Sequence, residues 1–263
     1  APYSDTGTIG DAVTSIRQPA FVGTAEANAK VRVYANGVLV GETFANSDES
    51  DGDATDGLGL WEVTVEPLAD GVYQITTEVE DLAGNISAIG GPITVTIDTA
   101  GPQRPTIDLL AANDSGASDR DNVTSQANDV PLTITAEPDS RVLVKDGEAV
   151  IDDFIMPAAS TVWSHALGDG EYQLSVESFD AAGNRSAQSE VLSLVIDRQA
   201  PAAPTAVDLL QSSDTFDNVA GLSGPQGTNL DDITSLSQPA LFGLAEANAR
   251  IRVYANGLLV GQG

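Results

Sequence analysis

The sequence predicts an all-β protein built from tandem immunoglobulin-like antiparallel β-sandwich domains, of which the third is incomplete. Short runs of alternating or β-branched residues, such as KVRVYA, LWEVTV and YQITTEVE, are typical of strands. Turn sequences of the Asn-Gly, Asp-Gly and Ala-Gly-Asn kind separate these runs at spacings of roughly 8–12 residues. No stretch combines helix caps with a 3.6-residue apolar period, so we predict no helix.

The chain also repeats itself over long distances. Residues 18–41 and residues 238–261 are identical at 18 of 24 positions. Residues 70–87 (DGVYQITTEVEDLAGNIS) match residues 169–186 (DGEYQLSVESFDAAGNRS) at an offset of 169 − 70 = 99 residues. A period near 100 residues indicates tandem domains rather than a solenoid of short repeats.

We therefore predict three domains, at residues 1–99, residues 100–198 and residues 199–263, the last holding only the N-terminal part of its fold. About seven short strands in about 100 residues fit a β-sandwich of the immunoglobulin type. Because the third domain stops at Gly263, directly after an apolar strand pattern, we expect the chain to belong to a longer protein.

The aromatic residues occupy matching places in the first two domains. Trp61 and Trp163 each lie in a predicted strand, and we expect both in the core. Tyr73 and Tyr172 follow an Asp-Gly turn, which is where an immunoglobulin-like fold places a tyrosine corner.

The composition excludes several classes of function. There are 11 Lys and Arg against 39 Asp and Glu, so the net charge is −28. Without clustered basic residues, binding to nucleic acid or to an anionic membrane surface is not expected. No stretch approaches the roughly 20 apolar residues of a membrane helix, so no membrane insertion is expected. The charge suits either solubility or cation binding.

No catalytic pattern stands out. The chain has no cysteine, and therefore no disulfide, thiolate nucleophile or zinc-thiolate site. A nucleophile elbow, a P-loop and a GxGxxG motif are also absent from the sequence. The single histidine, His165, alternates with Trp163 along a strand and has no obvious Ser or Asp partner. We predict that the protein is not an enzyme.

One set of motifs carries a family resemblance. The string DG-x-Y…D-x-AGN-x-S followed by V-x-ID-x-x-x-P resembles the bacterial immunoglobulin-like (BIg) extender repeats of giant RTX-type, type I-secreted adhesins. Residues 113–125 (NDSGASDRDNVTS) look like the connection between strands A and B of these repeats. The resemblance implies an extracellular, calcium-stiffened stalk on a bacterial surface. It implies a monomeric chain whose partners are its own neighbouring repeats, with adhesive ligands bound by other parts of the parent protein.

Carboxylates would converge at each junction between domains. Calcium takes six to eight oxygen ligands, and Asp, Glu and Asn supply them. On an immunoglobulin topology the B–C and F–G loops lie at the N-terminal end of a domain, and the last strand ends at the opposite pole. We therefore expect Asp98 to meet Glu137 and Asp180, and Asp197 to meet Glu246. The remaining loop candidates are Glu26, Asn28, Asp81, Asn85, Asp139 and Asn184.

The alternative for all of these residues is an ordinary role in solvated turns. A second candidate calcium site lies in the A–B loop of the second domain, at Asp114, Asp119, Asp121 and Asn122. It would join the second junction beside Asp169 or bind an ion of its own.

The segment SDESDGDATDG, residues 47–57, is dense in carboxylates but does not match the spacing of an EF-hand. It supports a different hypothesis, in which the chain is an adhesive module that binds carbohydrate or protein through loops such as residues 46–58, or through Tyr34 and Tyr254. Repetition of similar units favours a structural spacer over such a module.

Overall fold

The computed structural model describes residues 2–47, 56–116, 118–126, 129–210, 212–213 and 234–263. The contacts of the chain divide it into two units, residues 1–198 and residues 199–263. The described residues contain no α-helix, and one short 3₁₀ turn lies at Pro2–Ser4. The predicted all-β fold class is confirmed. No helix in this described part is long and apolar enough to span a membrane.

The first sandwich packs a five-stranded sheet, in the order β1-β7-β6-β3-β4, against the pair β2-β5. Its strands are β1 (Val13–Thr14), β2 (Ala20–Glu26), β3 (Lys30–Ala35), β4 (Val38–Phe44), β5 (Leu58–Thr64), β6 (Gly71–Glu80) and β7 (Gly90–Ile97). Neighbouring strands are antiparallel except β1 and β7, which run parallel.

The second sandwich repeats this plan with one additional strand in its smaller sheet. The two sheets have the orders β12-β11-β14-β15-β9 and β13-β10-β8. The strands are β8 (Thr106–Leu109), β9 (Val123–Thr124), β10 (Val130–Thr135), β11 (Arg141–Asp146), β12 (Ala149–Ile155), β13 (Ser160–His165), β14 (Gly170–Phe179) and β15 (Leu192–Ile196). Strands β9 and β15 form the parallel pair here. The two sandwiches confirm the predicted tandem immunoglobulin-like architecture.

Strand alternation builds the core between the sheets. In β3 the sequence KVRVYA buries Val31 and Val33 completely and turns Arg32 and Tyr34 towards the surface. Burying each such valine stabilises the fold by about 1.5–3 kcal/mol relative to leaving it exposed. Trp61 is likewise buried in the first core, and the expectation that the tryptophans are core residues is confirmed.

The tyrosine corner is present in both sandwiches. The hydroxyl of Tyr73 donates a hydrogen bond to the main-chain oxygen of Ala69 (2.9 Å), and that of Tyr172 to Gly168 (3.0 Å). Each bond ties the start of its strand, β6 or β14, to the turn before it, as this fold class predicts.

The unit at residues 199–263 is described as two separate strand pairs. Strand β16 (Thr205–Leu209) pairs with β17 (Leu241–Leu244), and β18 (Arg252–Ala255) pairs with β19 (Leu258–Gln262). Phe242 and Leu258 are exposed. The predicted division into three domains, with the third holding only the N-terminal part of its fold, stays a prediction.

Candidate functional site at the first interdomain junction

The F–G turns have the same geometry in both sandwiches. The carboxylate of Asp180 accepts hydrogen bonds from the main-chain N–H (2.8 Å) and the side-chain amide (2.9 Å) of Asn184. Asp81 accepts the same two bonds from Asn85, at 2.8 Å and 2.7 Å. The side-chain and main-chain bonds from Asn85 hold the pKa of Asp81 below its ordinary value. These predicted ligands therefore close the turn, a common role of Asp and Asn.

Asn184 also reaches the linker that enters its own sandwich. Its Nδ2 atom donates to the main-chain oxygen of Asp98 at 2.8 Å. Asp98 follows β7 directly, and its own N–H donates to the oxygen of Thr14 (2.9 Å). Its carboxylate accepts the N–H of Ala100 (3.0 Å). One carbonyl group at the end of the first sandwich is thus held by a side chain of the second.

A loop of the first sandwich lies directly against the F–G turn of the second. The hydroxyl of Thr6 donates to the main-chain oxygen of Ala182 (2.6 Å), and the N–H of Thr8 donates to that of Ala181 (3.0 Å). A Cβ atom added to Gly7 would overlap the oxygen of Ala181, and one added to Gly183 would lie 2.9 Å from the nitrogen of Gly7. The two backbones therefore approach as closely as glycine permits.

The linker itself is fastened along the second sandwich. A Cβ atom added to Gly101 would lie 2.6 Å from the main-chain oxygen of Arg185. Arg104 donates to the oxygen of Gln188 (2.6 Å) and pairs with Glu190 (2.5 Å). Together with the Asn184 bond, these contacts fix the linker at both ends.

Other predicted junction ligands lie in different surroundings. The main-chain oxygen of Glu137 accepts the N–H and hydroxyl of Ser140, and Glu137 lines a hollow together with Arg104. Asn28 and Asp139 form the corner of the B–C turn with positive φ angles of 64° and 62°. In the described ranges, no group of three or more His, Cys, Asp or Glu side chains lies close enough together to hold a metal ion. Calcium binding at the junction stays a prediction.

The A–B loop of the second sandwich gathers some of its predicted ligands. Asp114, Asp119 and Asn122 line one hollow of about 600 Å³, together with Asp108. Asp114 accepts the N–H of Asn122 through Oδ2 (3.1 Å). The carboxylate of Asp121 accepts the main-chain N–H groups of Ser118 and Val123.

Two carboxylate oxygens in equivalent places are buried without a hydrogen bond. They are Oδ1 of Asp114 and Oδ1 of Asp5, and no donor among the described residues reaches either. Asp5 begins the sequence Asp-Thr-Gly and Asp114 the sequence Asp-Ser-Gly. Sequence reasoning missed Asp5, although this short repeat was a signal that could have found it. A buried carboxylate oxygen without a donor is costly, and a cation is one way to satisfy it.

Residues around the second linker have partners within the first unit. Asp197 donates its N–H to the oxygen of Thr124 (3.0 Å). Arg198 pairs with Asp169 (2.7 Å) and donates to the main-chain oxygen of Gln126 (2.7 Å). The predicted meeting of Asp197 with Glu246 stays a prediction.

Most of the acidic loop, residues 48–55, lies outside the described residues. Its last carboxylate, Asp56, accepts the N–H of Leu58 (2.9 Å). The hypothesis of a binding module that uses residues 46–58 therefore stays a prediction. His165 stacks on Trp163 with ring centroids 5.1 Å apart, which is a packing role.

Two sandwiches of one plan, joined by main-chain contacts, define a tandem immunoglobulin-like module protein. The chain belongs to the bacterial Ig-like domain family, which matches residues 1–99 and residues 102–198. Domains of this family are typically extracellular or surface-exposed, and they are generally non-catalytic.

No curated protein matches the chain. Among solved structures, it is similar to fibronectin(III)-like modules of Clostridium thermocellum CbhA (14% identity, 73% of this chain and 90% of that chain covered, TM-score 0.40). It is also similar to the CD2-binding domain of CD58 (13% identity, 70% of this chain and 94% of that chain covered, TM-score 0.30). A third similar structure is SGBP-B of the Bacteroides ovatus mixed-linkage glucan utilization locus, in complex with a mixed-linkage heptasaccharide (17% identity, 70% of this chain and 44% of that chain covered, TM-score 0.22). At these identities and TM-scores, the likenesses say nothing about function.

Proposed function

We propose that this chain is an extender segment of a large bacterial cell-surface adhesin. It projects adhesive modules away from the cell, and its partners are the neighbouring repeats of the same monomeric chain. The single observation that supports this most directly is the contact of the first two sandwiches through Asn184 and Asp98. Domains joined by a linker usually move relative to one another unless their interface is large. A spacer needs that motion suppressed.

The direct contacts supply a modest clamp. Hydrogen bonds from Asn184, Thr6 and Thr8 cross the junction. Each contributes about 0.5–1.5 kcal/mol net. The close approach of Gly7 and Gly183 adds shape restriction, because a side chain at either position meets the opposite backbone. A clamp of a few kcal/mol favours one interdomain angle, and an added ion would strengthen it.

Calcium is the ion that these residues would suit. Around Asn184, the main-chain oxygen of Asp98 and the carboxylate of Asp180 offer hard oxygen ligands. The Oδ1 atoms of Asp5 and Asp114, which are buried without a hydrogen-bond donor, are two further candidate ligands for a cation. A net charge of −28 attracts divalent cations to the surface in general. A bound ion would neutralise carboxylate repulsion and tie the linker to the F–G turn.

Small-angle X-ray scattering of the whole chain tests the proposal. Profiles are recorded in calcium, in EGTA and, as a control for ionic strength, in magnesium. We expect an extended, stiff particle in calcium that loses only part of its stiffness on chelation, because the direct contacts between the first two sandwiches remain. A particle that is stiff in every buffer would retain the extender role and overturn the calcium part. A particle that is flexible in every buffer would overturn the extender role.

A glycan array addresses the competing adhesive role. The extender proposal predicts no glycan binding by this chain. Specific binding that survives removal of calcium would show that the loops recognise a ligand directly.

A further inference from the structure

Glu177 is a buried carboxylate in β14 of the second sandwich. The residue is only 1% exposed. Two cations pair with it: the ammonium group of Lys145 with Oε1, and Nε of Arg185, at 2.5 Å, with Oε2. A buried charge needs such partners, because an unpaired one is costly. Lys145 belongs to β11 of the same sheet, whereas Arg185 belongs to the connection that contains the F–G turn.

Arg185 reaches Glu177 across the base of this turn. Its main chain forms an antiparallel bridge with Phe179, which lies two residues after Glu177. Residues two apart in a strand lie on the same face of a sheet. Arg185 and Glu177 are therefore diagonal neighbours across the bridge, a separation that long side chains can span. The ion pair fastens the end of the turn to the strand that leads into it.

The residues around Arg185 make the interdomain contact. Asn184, directly before it, donates to the main-chain oxygen of Asp98 at 2.8 Å. The main-chain oxygen of Arg185 itself lies against the linker, since a Cβ atom added to Gly101 would lie 2.6 Å from it. Ala181, at the other side of the turn, accepts the N–H of Thr8. A displacement of Arg185 would therefore disturb several contacts between the two sandwiches.

A serine tie is common to both sandwiches and does not distinguish this turn. Oγ of Ser186 accepts the N–H of Ser178 (2.9 Å). In the first sandwich, Oγ of Ser87 accepts the N–H of Val79 (3.0 Å) in the same way. The ion pair of Arg185 is the feature that differs.

The first sandwich holds its equivalent glutamate from within the sheet. Glu78 is the counterpart of Glu177, because 177 − 99 = 78. It pairs at 3.1 Å with Arg32, which lies directly opposite it in β3. In the second sandwich the residue opposite Glu177 is Leu143, which carries no charge. A cation opposite the glutamate has thus been replaced by Arg185, a cation beside the turn that meets another domain.

We propose that Glu177 is a positioning residue for the contact between the first two sandwiches. Through Arg185 it holds the F–G turn in the place where Asn184 and Ala181 meet the first sandwich. The inference rests on the interdomain contact of the proposed extender, and it identifies the side chain that keeps the docking turn in position.

Arg185→Ile tests the proposal with a residue that this turn already tolerates. The counterpart of Arg185 in the first sandwich is Ile86, because 185 − 99 = 86. Amide hydrogen exchange of the whole chain, followed by NMR in EGTA, compares the Thr8 amide at the junction with that of the buried Val144 in β11. We expect exchange at Thr8 to accelerate about threefold to tenfold relative to Val144, because Glu177 is buried although Arg185 is half exposed.

Two further variants separate positioning from stability. Arg185→Lys keeps a cation beside the turn and should retain most of the protection at Thr8. Lys145→Met removes the other cation of Glu177 but leaves the pair with Arg185. It should change exchange at Thr8 and at Val144 by similar factors, because it affects the sheet as a whole.

Two results would overturn the positioning role alone. They are an unchanged ratio of Thr8 to Val144 exchange in Arg185→Ile, and an equal rise of this ratio in Lys145→Met. A Thr8 amide that exchanges in the wild type as fast as an unprotected amide would have a different meaning. It would overturn the interdomain contact itself, and with it both the positioning role and the support for the extender proposal.

Discussion

The side-chain amide of Asn184 donates a hydrogen bond to the main-chain oxygen of Asp98, across the boundary between the first two sandwiches. The same amide closes the F–G turn by donating to Asp180. Asn85 makes the equivalent turn bond to Asp81 within the first sandwich. Asn184 therefore links its F–G turn to the linker. Asn85 closes the corresponding turn of the first sandwich, so a substitution there is a matched control for loss of the turn bond alone.

Replacing Gly7 by alanine should separate the two backbones at the junction. Gly7 has a φ of 66°, and a Cβ atom there would overlap the oxygen of Ala181. Because the N–H of Thr8 bonds to that same oxygen, we expect its amide hydrogen exchange to accelerate strongly. NMR-detected exchange measures this.

Gly10→Ala is the control for backbone strain. Gly10 has a φ of 99°, but nothing lies within 4 Å of an added Cβ atom. It should lose stability from the left-handed conformation alone and keep the Thr8 amide protected. Equal acceleration of exchange in both variants would contradict the packing account.

Glu177 should make stability depend on pH. It is 1% exposed and forms ion pairs with Lys145 and Arg185. Burial by itself raises the pKa of Glu177, but the hydrogen bonds and charges of these two partners outweigh burial and lower it. A lowered pKa stabilises the folded state above the unfolded value of about 4.3, and this contribution is lost as pH falls through the folded pKa.

Glu177→Gln should therefore reduce the free energy of unfolding at neutral pH by about 1.5–3 kcal/mol, the range for hydrogen bonds to charged groups. The difference from the wild type should shrink as pH falls below about 4. Denaturant titrations across this range measure it. Glu42→Gln, which removes an exposed pair with Lys30, is the control and should change little. If the wild type exceeded Glu177→Gln in free energy of unfolding by a margin that grew as pH fell, the lowered pKa of Glu177 would be contradicted.

Calcium should stabilise the second sandwich through Asp114. With the affinity of about 10⁻⁴–10⁻³ M typical of extracellular calcium modules, about 10 mM calcium would add roughly 1.4–2.7 kcal/mol to the free energy of unfolding. Asp114→Asn should abolish this increment without lowering stability in EGTA, because it removes a charge whose Oδ1 atom is buried without a donor, and the amide oxygen can still accept the N–H of Asn122. Thermal unfolding in calcium and in EGTA measures the calcium-dependent increment and the stability without calcium. The exposed Asp129→Asn is the control, and a full calcium increment in the Asp114 variant would refute the site.

The strands, the tandem sandwiches and the tyrosine corners were predictable because alternation, turn residues and the 99-residue repeat are local or periodic signals. The meeting of the linker with the F–G turn also followed from topology. The particular atoms in contact could not be predicted from topology, since the bond from Asn184 to the main-chain oxygen of Asp98 depends on the angle between the two domains. The direction of the Glu137 side chain could not be predicted either. It lies in a turn in which Asp139 has a positive φ, and a turn has no strand alternation from which side-chain directions could be inferred.

The central claim is that direct contacts hold the first two sandwiches at one angle, and a distance measurement tests it most directly. The chain has no cysteine, so V38C and E148C, at exposed hairpin positions of the two sandwiches, accept a pair of spin labels. Double electron–electron resonance then reports the distribution of distances between them. We predict one narrow distribution for the otherwise wild-type chain and for Asn85→Ala, and a broad one for Asn184→Ala. A broad distribution without the Asn184 substitution, or equal widths in the two asparagine variants, would contradict the account.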